Sequence, residues 1–133
     1  MDLLLDTHVW VWAAEQPSEL GSKAGAALAD RRNALFVSTV SSLELARLAA
    51  GGKLAVRGSI GAWIADSVLV LGLQTVPLGH EIAVAAYALA GDFHPDPADR
   101  ILVATARLHG LTLVTADQRL LNYPHVRTLD ARS

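Results

Sequence analysis

The chain contains no cysteine. It can therefore form no disulfide, hold no thiolate-bound zinc and present no cysteine nucleophile, and nothing in it points to an oxidising compartment. Charge of one sign is also missing: 11 Lys and Arg face 13 Asp and Glu, for a net charge of −2. A basic protein that grips nucleic acid through its overall field is excluded, so any phosphate chemistry must rest on a local basic rim or a bound cation. With only 5 Pro and 10 Gly against 52% hydrophobic residues, disorder or low complexity cannot account for most of the chain. The 133 residues suit one compact domain spanning positions 1–133. Long hydrophobic runs are absent too, since Asp66 interrupts the best candidate, between Ile60 and Leu73. The first six residues carry two acids and no basic residue, unlike a secretory signal peptide. A soluble, cytoplasmic protein with no membrane association is expected. Its positive mean hydropathy points to apolar surface covered by another subunit or a partner.

What is present reads as alternation. Leu3-Leu4-Leu5 and Ala34–Val37 are continuous apolar runs rather than alternating ones, as in strands buried on both faces. Leu73–Pro77, Leu111–Thr115 and a weaker Val126–Leu129 complete the short strand candidates. Helix-length segments lie between them: Val9–Glu15, Ser22–Arg32, Ser41–Ala50, Ser59–Leu71, Glu81–Gly91, Pro97–His109 and Gln118–Asn122. Ser22, Ser41 and Ser59 are candidate N-caps, and Gly51, Gly91 and Gly110 candidate stops. From Pro97 to His109, Ile101, Leu102, Thr105 and Leu108 share one face at helical spacing. The pattern predicts a three-layer α/β/α sandwich on a short, mainly parallel five-stranded sheet. In such sheets, ligands bind beyond the carboxyl ends of the strands.

Four acids fall there. Asp6 ends the first strand, Glu44 and Asp99 lie in first turns of helices, and Asp117 follows the strand ending Val114-Thr115. Taken singly, three have ordinary explanations in helix dipoles and caps. Asp6 does not, because an acid attached to a buried Leu-Leu-Leu strand is desolvated unless a cation or donor meets it. If all four converge they demand a cation: two carboxylates ~4 Å apart repel by about 4 kcal/mol at an effective dielectric of 20. Carboxylate oxygens without Cys or clustered His favour Mg²⁺ or Mn²⁺ over Zn²⁺. Such an ion neutralises a phosphate and acidifies water, so phosphodiester hydrolysis is the natural reaction class.

The residues also carry a resemblance. Leu4-Leu5-Asp6-Thr7-His8, Val37-Ser38 with Ser42-Leu43-Glu44-Leu45-Ala46, Gly52-Lys53-Leu54, His94-Pro95-Asp96-Pro97-Ala98-Asp99-Arg100-Ile101-Leu102 and Leu113-Val114-Thr115-Ala116-Asp117 occur in the order of the PIN-domain family. Together they cover essentially the whole chain. More narrowly, the chain is similar to the VapC-type toxins of bacterial toxin–antitoxin pairs. It departs from their commoner pattern at Leu43, often Trp, and at Arg47, often Lys or apolar; neither touches the acids. The resemblance implies a metal-dependent ribonuclease with Asp6, Glu44, Asp99 and Asp117 as its acidic quartet. Asp6 and Asp99 would be the direct ligands of Mg²⁺ or Mn²⁺, with Glu44 and Asp117 acting through water or a second ion. Thr7 and Thr115 would hydrogen-bond the carboxylates. It also implies an RNA substrate, a VapB-type antitoxin and a homodimer.

Other residues are ambiguous. Asp96 is either a peripheral ligand or a cap of the following helix. Arg47, Lys53 and Arg100 are candidates for RNA phosphate contacts, each near a site acid. Trp10, Trp12 and Trp63 read as core, although the Val9-Trp10-Val11-Trp12 segment could instead form a partner groove. His8 and His94 are not spaced as a metal pair. Two rival functions stand beside the ribonuclease: an inactive PIN-like binding module acting through its partner, and an aspartate-nucleophile phosphotransferase, disfavoured by His8 where the usual second acid would stand. Neither a G-x-x-x-x-G-K-[ST] nor a G-x-G-x-x-G pattern occurs, which excludes the common nucleotide loops.

Overall fold

Leu3–Leu5 forms the first strand, β1, and all three side chains are fully buried. An unbroken apolar run has that meaning when both faces of a sheet are covered. The computed structural model describes residues Met1–Ser133. After β1 the order is α1 (Thr7–Glu15), α2 (Ser22–Ala29), β2 (Leu35–Ser38), α3 (Thr39–Ala50), α4 (Ile60–Leu71), β3 (Leu73–Val76), α5 (His80–Ala86), α6 (Pro97–His109), β4 (Thr112–Thr115), α7 (Gln118–Leu121) and β5 (Thr128–Asp130). A 3-10 turn over Pro17–Glu19 joins α1 to α2. The strands form one sheet in the order β3-β2-β1-β4-β5, and every pairing is parallel. No helix is long and apolar enough to cross a membrane.

Successive strand residues point to opposite faces, and β1 uses this to fasten two layers. Leu3 and Leu5 pack with Val9 and Trp10 of α1 and Trp63 of α4. Leu4 packs with Leu102, Val103 and Ala106 of α6 and Leu120 of α7. Burying one such leucine stabilises the fold by about 2 kcal/mol. On the α6 side, Ile82 and Ala86 of α5 meet Val76 and Ala104. The result is the expected three-layer α/β/α sandwich, with its sheet wholly parallel.

Of the apolar segment Val9-Trp10-Val11-Trp12, Val9 and Trp10 are closed to the partner groove considered above. Val9 and Trp10 are 0% exposed, because α1 turns them onto the sheet. Trp10 Nε1 donates to Ser67 Oγ at 2.9 Å, and its ring lies 5.8 Å from that of Trp63. Trp12 is half-buried, with the Arg132 guanidinium 4.7 Å from its ring.

Helix starts and stops differ in instructive ways. Ser59 caps α4 as expected, but α2 starts from Gly21, and α3 starts directly from β2 with Ser38 accepting from Val40 N–H. Ser41, relieved of capping, becomes a buried residue of α3. The helix expected to reach Gly91 stops at Ala86. The chain beyond it wraps Arg100, whose guanidinium donates to Ala86 O and Phe93 O and lies 5.0 and 5.5 Å from the Tyr87 and Phe93 rings. Arg100, expected to reach RNA phosphates, is instead committed to holding this loop.

Candidate active site

Because β1 and β4 run side by side and parallel, the residues just past their carboxyl ends meet. Asp6 N–H continues the ladder to Val114 O at 3.0 Å, and the Asp6 side chain then turns to cap α1. Its Oδ1 accepts from Thr7 N–H at 2.7 Å and its Oδ2 from Thr115 Oγ1 at 2.7 Å. Thr115 Oγ1 in turn accepts from Asp117 N–H at 3.1 Å, which ties the start of α7 to the same edge. Thr7 Oγ1 donates to Glu44 Oε1 at 2.7 Å and lies 2.9 Å from Ser41 Oγ. One hydroxyl therefore links the first turn of α1 to α3.

The other acids enter from α6 and α7. Asp96 caps α6, accepting from Asp99 N–H at 3.2 Å, and Asp117 caps α7, accepting from Arg119 N–H at 2.9 Å. Asp99 Oδ2 lies 2.6 Å from His94 Nε2, and the His94 ring stacks on Phe93 at 4.3 Å. Asp6, Glu44, Asp96, Asp99 and Asp117 together line one cleft of about 370 Å³, whose remaining walls include His8, Trp12 and Arg119. Arg47 is exposed on a neighbouring apolar groove of about 520 Å³ that shares Glu44 and Asp96 with the cleft. Lys53 is exposed in the turn after α3 and lines neither.

This concentration of acids leaves an electrostatic signature. Burial pushes the Asp6 carboxyl above the ordinary aspartate range, and the Asp99 charge pushes the same way, against the hydrogen bonds from Thr115 and Thr7. Burial likewise raises Asp99, with Asp96 and Asp117 adding to the rise and the His94 hydrogen bond opposing it. Asp117 goes the other way: the bond from Arg119 holds it below the usual range. Burial is the main cause of both rises, and a cation in the cleft would lower both carboxyls.

Carboxylate oxygens around a desolvated Asp6 suit a hard divalent ion. No three carboxylate or imidazole groups lie close enough to ligate one ion by themselves.

Ser41, His94 and Arg119 were not identified from the sequence as site residues. Ser41 reads as a helix cap, and the couplings of His94 to Asp99 and of Arg119 to Asp117 are visible only once helices α6 and α7 are placed. His94 lies five residues from its partner, outside any regular metal-pair spacing.

A parallel five-stranded sheet with this acidic edge defines the class, and the sequence agrees: residues 3–126 match the family model described as PIN domain. The chain belongs to the PIN-domain family. It is 36% identical over 125 residues to Ribonuclease VapC22 of Mycobacterium tuberculosis, covering 94% of each chain. Its fold is similar to a chain of VapBC2 from Rickettsia felis bound to a DNA fragment from their promoter (TM-score 0.68, 15% identity, 97% of this chain and 98% of that one). It is likewise similar to a chain of FitAcB from Neisseria gonorrhoeae (TM-score 0.60, 22% identity, 97% of each).

Proposed function

We propose that the chain is the metal-dependent endoribonuclease toxin of a VapBC-type toxin–antitoxin module, with Asp6, Glu44, Asp99 and Asp117 as its catalytic acids. The observation that carries this reading is the lining of a single cleft by all four, at the carboxyl edge of a PIN-domain sheet. The name of the 36% identical relative, a ribonuclease, supports the substrate class.

When bound, Mg²⁺ or Mn²⁺ supplies charge neutralisation for the phosphate and a lowered pKa for water. Asp6 and Asp99, the two carboxyls that burial raises, would hold it. Thr115 and Thr7 fix the Asp6 carboxylate through one bond to each oxygen, and His94 fixes Asp99. Thr7 engages Glu44 through Oε1, leaving Oε2 to hold the attacking water and accept its proton. Attack in line forms the new P–O bond as the P–O3′ bond breaks, and O3′ takes a proton from solvent, leaving a 5′-phosphate and a 3′-hydroxyl. Single-stranded or loop RNA is the favoured form, because its bases are accessible where a duplex hides them.

The partner is a VapB-type antitoxin, and the working unit is a homodimer. Large apolar side chains stand exposed for such contacts: Leu43 (69%), Leu69 and Val70 (81% each), Val84 (72%) and Tyr87 (66%). The test is incubation of the purified, antitoxin-free chain with a mixed RNA pool. Cleavage should require Mg²⁺ or Mn²⁺ and should vanish in Asp6→Asn and Asp99→Asn with the fold intact. Cleavage that persists in both variants overturns the assignment, and a folded wild-type chain that cuts nothing favours the inactive binding module.

A further inference from the structure

Arg119 is the one Arg or Lys side chain lining the acidic cleft. Its Nη2 lies 3.1 Å from Asp117 Oδ2 and 3.7 Å from Asp99 Oδ2, and its Nε lies 3.4 Å from Asp117 Oδ1. The backbone N–H of the same residue donates to Asp117 Oδ1, so the base of the side chain is anchored at the start of α7 while the head reaches across to α6. That head is held by carboxylates alone, and the side chain is 61% exposed. The contrast with Arg100, wrapped by two carbonyls and two rings, is one of function as well as place: Arg119 is free to leave its partners.

Asp99 is then claimed twice. Arg119 Nη2 approaches its Oδ2 at 3.7 Å, the oxygen that also meets His94, and the proposed function requires the same carboxylate for a divalent ion. A guanidinium and a dication cannot share one carboxylate without strong repulsion. We propose that Arg119 is the internal counter-ion of the cleft, exchanging with the divalent ion at Asp99 and, once displaced to the cleft mouth, binding a non-bridging oxygen of the RNA phosphate. This rests on the ribonuclease reading above and deepens it by naming the residue that grips the substrate. A guanidinium suits the task, since its fork of N–H donors matches a phosphate. The exchange also keeps net charge in the cleft close to level through the cycle: one cation leaves as the ion enters, and returns to use when the polyanion arrives.

The test is a pair of variants, Arg119→Gln and Arg119→Lys, both of which keep the backbone bond to Asp117. Mn²⁺ binding is measured by calorimetry without RNA, and steady-state cleavage of a single-stranded RNA gives KM and kcat across a salt series. Loss of the competing charge in Arg119→Gln should tighten Mn²⁺ by about tenfold. Loss of the phosphate contact should raise KM by about tenfold and flatten the dependence of log KM on log salt by roughly 0.7, the contribution of one phosphate contact on a single strand. Arg119→Lys, which keeps the charge but not the fork, should leave Mn²⁺ affinity near wild type with KM raised less. A merely structural role at the start of α7 would weaken Mn²⁺ binding instead. Unchanged or weakened Mn²⁺ affinity in Arg119→Gln, or an unchanged KM, overturns the inference while leaving the ribonuclease reading standing. A wild-type chain that binds no Mn²⁺ overturns both.

Discussion

Replacing Asp6 by Asn should make the metal-free protein more stable while abolishing its activity. The carboxylate is desolvated and faces the charge of Asp99, and no cation contacts it. The amide keeps the shape and can keep both hydrogen bonds: its oxygen accepts from Thr7 N–H, and its NH₂ can donate to a rotated Thr115 hydroxyl. What disappears is first the cost of a buried charge and second its repulsion with Asp99; for scale, two carboxylates ~4 Å apart repel by ~1 kcal/mol in water and ~4 kcal/mol at an effective dielectric of 20. Asp99 is partly relieved by His94, so the lower half of that range applies, about 1–2 kcal/mol. For a chain of this size that is a rise of about 4–8 °C in Tm. The pH dependence has a definite sign. A carboxyl raised in the folded state binds its proton more tightly there than in the unfolded chain. Its contribution is complete below the ordinary aspartate range and is lost as pH rises through the folded value. Wild-type Tm in EDTA should therefore fall as pH climbs from the acidic range towards neutral, and Asp6→Asn should flatten that fall. Adding Mn²⁺ at a hundred times its dissociation constant should then stabilise wild type by about 2.7 kcal/mol and Asp6→Asn far less. Differential scanning fluorimetry in EDTA and in Mn²⁺ reads all four states. An Asp6→Asn protein that melts below wild type in EDTA, or that gains as much from Mn²⁺, refutes the reasoning.

Three further expectations follow from other contacts. Thr115→Val removes the donor to Asp6 Oδ2 and the acceptor of Asp117 N–H, and should weaken Mn²⁺ binding by about 10–100-fold in calorimetry. Leu102→Ala empties a fully buried position between α6 and β1 and should lower unfolding free energy by about 2–5 kcal/mol in denaturant titration. Gly21→Ala would bring a Cβ to 2.0 Å from Ser133 O, where Lys23 and Ala24 N–H now bond. It should cost about 1–3 kcal/mol and speed amide exchange in residues 130–133.

The central elements were legible because burial and periodicity agree there. Leu3-Leu4-Leu5 is apolar at every position and lies in the middle of the sheet, and α6 runs from Pro97 to His109 as its spacing predicts, closed by Gly110 at φ 65°. Asp6, Asp99 and Asp117 were legible for a related reason: the parallel sheet sends the carboxyl ends of its strands to the same edge, so acids that follow strands or open helices meet there. Glu44 was expected in a first turn, but α3 starts directly after β2 at Thr39, which puts Glu44 in the second turn, where it meets Thr7. Details that depend on tertiary partners were not legible. Arg100 looked like a site residue from its neighbours in sequence, but the loop from Tyr87 to Phe93 claims its guanidinium. Trp10 read as core with a partner groove as the alternative, and α1 turns it towards Ser67 and Trp63, which settles it as core. Arg119 gave no signal at all, since its role depends on the distance from the start of α7 to Asp99 on α6.

The most direct measurement is the chemistry of the cut ends. A 5′-labelled and a 3′-labelled single-stranded RNA, incubated with the purified chain in Mn²⁺ and in EDTA, can be resolved after phosphatase and kinase treatment. Water-driven hydrolysis in the acidic cleft predicts 5′-phosphate and 3′-hydroxyl termini, formed only with the divalent ion. Termini carrying a 2′,3′-cyclic phosphate, which report attack by the ribose hydroxyl, or cuts that continue in EDTA, would contradict it.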